Sequence, residues 1–287
     1  MKYFDSATLN FLLFDVLKTE KLLDDPYYAE HEKETIDMFL TAVKDFADKD
    51  FYPYFKALDE QAAHFKDGKI IVHPQVGHVM KVGGEMGLIS STLPQEAGGL
   101  QLPMLVHTAA HYILEAANNH LSGYLGLTLG AAELIAHFGS ETLKNTYVDN
   151  MLLGKWGGTM CLTEPQAGSS LSDVVTAASP IDDDTCYHLK GQKIFISGGD
   201  HEYVDNMVHL VLARIDGAPA GTKGISLFVV PKNRPNTDGS YTFNDVITAG
   251  DFQKLGQKGY CTTHLIFGEN DDCKGWLVGE ANKGLKY

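Results

Sequence analysis

The stretch Met160-Cys-Leu-Thr-Glu-Pro-Gln-Ala-Gly-Ser-Ser170 gathers hydroxyls, a carboxylate and small residues at the end of a β-prone run. That run extends from Trp156 to Thr163, and Pro165 stops it because proline has no N–H to give a ladder. Ala167-Gly168-Ser169-Ser170 then offers small side chains and free backbone N–H groups, a turn that lets backbone approach a ligand closely and can hold an anion. Lys193-Ile-Phe-Ile-Ser-Gly-Gly199 repeats the pattern with a short strand, a hydroxyl and paired glycines. Two strand ends presenting Thr163, Ser169 and Ser197, with Phe195 between them, suit a flat, polar-edged, phosphate-bearing ligand.

Other chemistries find less support. His107 and His111 stand at i, i+4, a metal-compatible spacing, but no third ligand or H-E-x-x-H glutamate accompanies them, so no metal site is expected. A G-x-S-x-G elbow is missing, which leaves an acyl-transfer serine unsupported, and so is a G-x-G-x-x-G of the Rossmann type. Cys161, Cys186, Cys261 and Cys273 show no C-x-x-C spacing, so reduced thiols in a cytoplasmic protein are expected. Acidic pairs such as Asp24-Asp25 and Asp271-Asp272 read as solvated turns.

The elements that must carry these residues fall into two halves. At 287 residues the chain is long enough for two domains, each with its own core. A net charge of −14 argues against nucleic acid or an anionic membrane surface as partner, and an anionic coenzyme would need local lysines and backbone N–H groups. No secretory signal is read at Met1 to Asp5, and the apolar stretch Leu121 to Phe138 carries Glu133 and is too short to span a bilayer.

Ala7 to Leu23 reads as an amphipathic helix capped by Ser6, with Leu9, Leu12, Leu13, Val16 and Leu17 on a face turned to its own domain. Helices follow around Ile36 to Ala47, from Pro74 to Met86, from Pro103 to Ala117, from Ser122 to Phe138 and from Glu141 to Leu153. Gly139 and Gly154 end the last two, and Pro53 breaks or kinks the first. After Trp156 come short β-branched or aromatic runs: 174–178, 187–189, 193–196, 207–214, 225–230, 241–248 and 263–267. Turn clusters such as Asp182-Asp183-Asp184 and Gly217-Ala-Pro-Ala-Gly221 separate them, an alternation that predicts an antiparallel barrel or sandwich. The fold class is therefore α+β: a helical domain over 1–155 with an extension helix in 1–25, then a β domain over 156–276.

With these features together, the chain resembles the flavin-dependent acyl-CoA dehydrogenases from roughly Tyr27 to its last residue. The first stretch matches the family's C-x-T-E-P-x-x-G-S-D motif with Ser170 in place of Asp, and Phe195-Ile196-Ser197 stand where the family has Trp-Ile-Thr. Pro94-Gln-Glu-Ala-Gly-Gly99 and Lys254-Leu-Gly-Gln-Lys-Gly259 are similar to two further family loops. The N-terminal extension and the segment 212–224 look like the bacterial subgroup containing 3-methylmercaptopropionyl-CoA dehydrogenases.

The resemblance implies a fold and a set of roles. Met160, Leu162 and Thr163 would lie along the flavin ring of FAD, the Thr163 hydroxyl on its polar edge. Phe195 would pack on the ring, Ile196 beside it, and Ser197 would donate near N5 and O4. Gly168 and Ser169 would reach the pyrophosphate or the acyl-CoA substrate, and Leu125 and Leu129 would floor the acyl pocket. Singly, Thr163 is a plain strand residue, Ser169 a turn residue and Phe195 a core residue; their order and spacing carry the flavin reading. Gly275 to Gly284 is similar to the lead into the family's C-terminal helical bundle, so 277–287 would begin that domain, with the bundle absent. In the family that bundle supplies the catalytic base, and none is matched in this chain. The expectation is thus a truncated enzyme, inactive alone and holding FAD weakly or not at all. Full length, it would oxidise an acyl-CoA to the 2,3-enoyl-CoA as a homo-oligomer and pass electrons to an electron-transfer flavoprotein. A non-catalytic flavin- or partner-binding module derived from the same family is the alternative.

Overall fold

The computed structural model describes residues 3–181 and 185–287; the acidic turn expected at Asp182-Asp183-Asp184 lies outside the described residues. The helical half opens with α1 (Ser6–Asn10), which passes into a π-helical turn over Phe11–Val16. Asp5, not Ser6, caps it: its carboxylate accepts the Thr8 N–H at 3.2 Å. The helix predicted to reach Leu23 stops at Lys18, which adopts φ 53°. Of the predicted stripe only Leu13 is fully buried, while Leu12, Val16 and Leu17 stay exposed.

In α2 (Lys33–Phe46), Ile36, Leu40, Val43 and Phe46 recur at helical spacing and all are buried. Pro53 sits in a short 3₁₀ turn before α3 (Phe55–Glu60). A hairpin not predicted from the sequence, β1 (His64–Lys66) with β2 (Lys69–Ile71), turns at Asp67-Gly68. There follow α4 (Gln75–Glu85), α5 (Met104–Asn118) and α6 (Ser122–Phe138). The run 141–152 begins as α7 (Glu141–Leu143), passes through a π turn and ends as α8 (Asp149–Leu152). No helix among the described residues is long and apolar enough to cross a membrane.

The β half contains β3 (Trp156–Cys161), β4 (Ala177–Pro180), β5 (Cys186–Ser197), β6 (Asn206–Ile215) and β7 (Ile225–Pro231). A two-stranded arm, β8 (Asn233–Pro235) with β9 (Tyr241–Phe243), precedes β10 (Val246–Asp251), β11 (Thr262–Phe267) and β12 (Lys274–Val278). Strands β5, β12, β7 and β6 are successive neighbours, and β4 pairs with both β6 and β5, so five strands close a ring. The sheet is mostly antiparallel, as predicted, but β3 and β4 each pair parallel to β6. The two predicted strands 187–189 and 193–196 are one continuous β5, whereas 241–248 divides between β9 and β10. Gly275 to Val278, predicted to lead toward a helical domain, instead lies in β12, so the boundary drawn after residue 276 falls inside a strand. Residues 279–287 form turns that fold back on α6, where Gly279 N–H donates to the Phe138 carbonyl at 3.0 Å.

Alternation on β6 divides the apolar interior in two. Val208, Leu210 and Leu212 join the core shared with the helices, while Val211 and Ala213 face the barrel core with Phe228, Val230 and Leu265. Burial on both faces explains the near-continuous apolar run of this strand. Its seam with the helices is tight at Gly158, whose N–H donates to Thr128 Oγ1 at 3.0 Å. A Cβ there would stand 2.8 Å from both Ala131 Cβ and Met151 Cε. We expect Gly158→Ala to lower stability by about 1–3 kcal/mol through overpacking. Gly250→Ala, whose added methyl meets nothing within 4 Å, should change it by about 0.5 kcal/mol or less. Urea midpoints compare the two, and equal midpoints would show that the seam yields.

Candidate functional site

Strand β3 delivers Met160 and Cys161, and the chain then reverses across Pro165-Gln166. Glu164 N–H donates to the Ala167 carbonyl at 2.7 Å, and Ala167 N–H donates back at 3.1 Å. The reversal turns the Glu164 carboxylate inward, leaving the residue 2% exposed. There it accepts from Lys193 Nζ at 2.8 Å, Thr176 Oγ1 at 2.5 Å and Gln166 Nε2 at 2.6 Å. It also accepts the N–H groups of Val175 at 2.8 Å and Thr176 at 3.0 Å. Lys193, 0% exposed, donates again to the Leu162 carbonyl at 3.0 Å. Burial alone would raise the Glu164 carboxyl, but Lys193, the Thr176 hydroxyl and the Val175 N–H outweigh it and hold the group below its ordinary value. Burial pulls the Lys193 ammonium below the usual lysine range, with Glu164 opposing.

Two further ties complete the frame. Arg214 on β6 donates to the carbonyls of Ser172 (2.6 Å), Val174 (2.6 Å) and Gly221 (2.7 Å), clamping the far end of the loop. Asp200, just past the paired glycines, accepts from Lys232 Nζ at 2.6 Å and Thr248 Oγ1 at 2.7 Å. The glycines are needed for different reasons: Gly198 has φ 64°, and a Cβ on Gly199 would fall 1.9 Å from Thr263 Oγ1.

Within this frame some of the candidate residues converge. The Thr163 carbonyl accepts Ile194 N–H at 2.9 Å, so the end of β3 runs beside β5. Gly168 approaches Thr163 Cγ2, 3.6 Å from where its Cβ would be, and its surroundings are otherwise open. Ser169 is exposed and Thr163 and Ser197 are half-buried; among the described residues no protein group bonds their hydroxyls. Met160 and Leu162 are half-buried against the helical core. Phe195 is 54% exposed with φ 58°, its ring 4.3 Å from that of Phe252. It sits in a bulge: β5 residues 193 and 196 pair with Leu265 and Thr263, leaving two residues opposite one. Ile196, by contrast, turns into the barrel core. Leu125 and Leu129 lie sealed in the helical core, Leu125 against Gly83, and do not join the exposed cluster.

The sequence reading assigned no role to Glu164, Lys193, Arg214 or Phe252. A lysine inside the apolar run Lys193-Ile-Phe-Ile was the available signal, since a buried lysine requires a buried anion. The Cys161 thiol is sealed in the barrel core, and burial pushes it up to about 12. His107 and His111 stand ring to ring at 4.4 Å, and His107 Nδ1 is 2.8 Å from Ser91 Oγ. Burial lowers His107 to about 4, so it stays neutral. The described residues contain no cluster of three or more metal-ligating side chains.

Comparison with known proteins bears on this arrangement. Residues 33–155 match the acyl-CoA dehydrogenase N-terminal domain, and residues 159–269 match the acyl-CoA dehydrogenase middle domain. A butyryl-CoA dehydrogenase of Syntrophomonas wolfei is 35% identical over 277 residues, covering 95% of this chain and 45% of the relative. A 3-methylmercaptopropionyl-CoA dehydrogenase of Ruegeria pomeroyi is 39% identical over 230 residues, covering 80% of this chain and 38% of the relative. The chain thus spans less than half the length of either. An acyl-CoA dehydrogenase of Bacillus anthracis, solved in complex with FAD, superposes with a TM-score of 0.71 at 25% identity, covering 90% of this chain and 39% of that one.

The buried pair sets a measurable expectation. Glu164→Gln leaves the Lys193 charge uncompensated, which costs about 3–5 kcal/mol at neutral pH. Because folding lowers the Glu164 value, its contribution is fully present above the unfolded value of 4.5 and is lost as pH falls through the lower folded value. Urea midpoints of wild type and variant should therefore converge in acid. A gap that is absent at neutral pH would remove the pair from its structural role.

Proposed function

The chain belongs to the acyl-CoA dehydrogenase family, and we propose that its two domains form the flavin-holding part of an enzyme that oxidises an acyl-CoA thioester to the 2,3-enoyl-CoA. The supporting observation is the turn after β3, which runs beside β5 where the Thr163 carbonyl accepts the Ile194 N–H at 2.9 Å. Thr163, Ser169 and Ser197 carry uncommitted hydroxyls and Phe195 turns its ring outward, on segments whose neighbouring residues Glu164 and Lys193 form a buried ion pair. FAD, when bound, supplies the hydride acceptor.

The chain's own residues bind and orient. Thr163 and Ser197 donate toward the polar edge of the ring, and Met160, Leu162 and Phe195 offer apolar contact. Gly168 and Ser169 give backbone N–H groups and a hydroxyl to phosphate, on an open turn where bulkier residues would crowd the approach. Glu164 does not act as the proton acceptor, because five donors already occupy it and it is 2% exposed. We place the α-proton base outside these 287 residues, together with the contacts that complete FAD binding. The reading extends to an electron-transfer flavoprotein as the acceptor of electrons and to assembly of the whole enzyme as a homo-oligomer.

Two measurements test this. FAD titrated into the chain, followed by flavin fluorescence anisotropy, should bind weakly, and Thr163→Val should weaken it about tenfold, the worth of one hydrogen bond to a polar ring edge. Thr242→Val on the exposed β9 arm should leave it unchanged. Equal affinity in wild type and Thr163→Val would remove Thr163 from the site. With acyl-CoA thioesters and an artificial electron acceptor, the chain should give no turnover above a flavin-only blank. Turnover would place a base within these residues and overturn that part of the reading.

A further inference from the structure

We propose a second ligand site, independent of the flavin reading: a cleft in the helical domain that takes a small organic cation of the alkylammonium class. The cleft, about 440 Å³, opens between the turn Pro26–Tyr28, the segment at Thr92 and the C-terminal half of α6. That volume lies within the range of small-molecule pockets. Tyr27, Tyr28 and Phe138 contribute aromatic surface, and Glu133 contributes a carboxylate.

These groups are held in place. The rings of Tyr27 and Tyr28 meet edge to face at 5.0 Å, and Asp25 fixes their turn by accepting the Tyr27 N–H at 2.9 Å. Gln101 donates its amide to the Tyr27 carbonyl. Phe138 is steadied by Tyr287, ring to ring at 4.5 Å. Glu133 is half-buried and accepts from the Thr92 hydroxyl, but no lysine or arginine lines the cleft among the described residues. His137 at the rim is tied through Nδ1 to the Glu133 carbonyl at 2.8 Å.

A half-buried carboxylate without a counter-ion, in a cleft also lined by three aromatic side chains, favours a cation through both ion pairing and cation–π attraction. It repels anions, as does the net charge of −14. One carboxylate cannot satisfy a hard metal ion, which needs several oxygen ligands. An alkylammonium is large and weakly hydrated enough to use the rings.

Choline and its neutral carbon isostere, with a quaternary carbon in place of nitrogen, provide the test by calorimetry and chemical-shift titration. Choline should bind saturably, the isostere should bind at least roughly tenfold more weakly, and Glu133→Gln should lose a similar factor for choline. Gly130→Leu tests the location without weakening the fold: a Cβ there meets nothing within 4 Å, and replacing a helix-interior glycine favours the helix. It should raise the thermal midpoint and abolish choline binding, while FAD titrates as in wild type. Absence of saturable choline binding, equal affinity for the isostere, or full binding by Glu133→Gln or Gly130→Leu would each overturn the proposal. None of these outcomes bears on flavin binding, so the two readings fail separately.

Discussion

A lysine and a glutamate with no access to water dictate the geometry of the loop that follows β3. Burying either charge alone costs several kcal/mol, and only near-complete hydrogen bonding offsets that cost. Glu164 collects five donors, while Lys193 divides its protons between that carboxylate and the Leu162 carbonyl. Those partners come from the end of β3, the approach to β4 and the middle of β5. The bonds close only when all three segments arrive together. The loop is therefore pinned at both ends, at Glu164 to Ala167 and at Ser172 to Thr176, though most of it has no ladder. Its outward groups need no internal partner, which is why Thr163 and Ser169 keep free hydroxyls.

Phe195 shows the same economy from the other side. In a regular strand it would share a face with Lys193 and point inward. The bulge shifts the alternation by one residue, so Lys193 and Ile196 both face inward and Phe195 is turned out. The left-handed backbone needed for that is unfavourable for an aromatic residue, by about 1–3 kcal/mol. The neighbouring Lys193 bonds and the Thr263 hydroxyl on the Ile196 carbonyl (3.1 Å) hold it there.

This explains what was legible in the sequence and what was not. Apolar spacing in the helical half located α4, α5 and α6 to within a residue or two, because their buried faces follow the helical period. Local patterning failed where pairing decided the outcome. A short run such as Lys274 to Val278 has no period of its own and becomes a strand only because β5 and β7 leave a gap for it. The parallel partnership of β3 with β6 is likewise a matter of which edge is free. At the candidate site, the hydroxyls and glycines could be named from type and spacing. Of the groups that hold them, only Lys193 left a signal, a charge inside an apolar run; its pairing with Glu164 and the Arg214 clamp on Ser172 and Val174 join residues distant in sequence. The extension helix misled because its apolar residues recur at helical spacing yet mostly face outward.

The position of β12 has a bearing on how the molecule is made. In the ring it lies between β5 and β7, yet it is the last strand in the described chain. During vectorial synthesis the ring cannot close until residues 274–278 clear the ribosome, long after its other strands have emerged. Until then β5 and β7 present open edges, the kind of surface that recruits stray strands. Helical segments α4 to α6, built from nearer neighbours in sequence, can assemble first and cover one face of the waiting sheet. A nascent chain stalled before residue 274 should therefore depend on chaperones far more than one stalled beyond it.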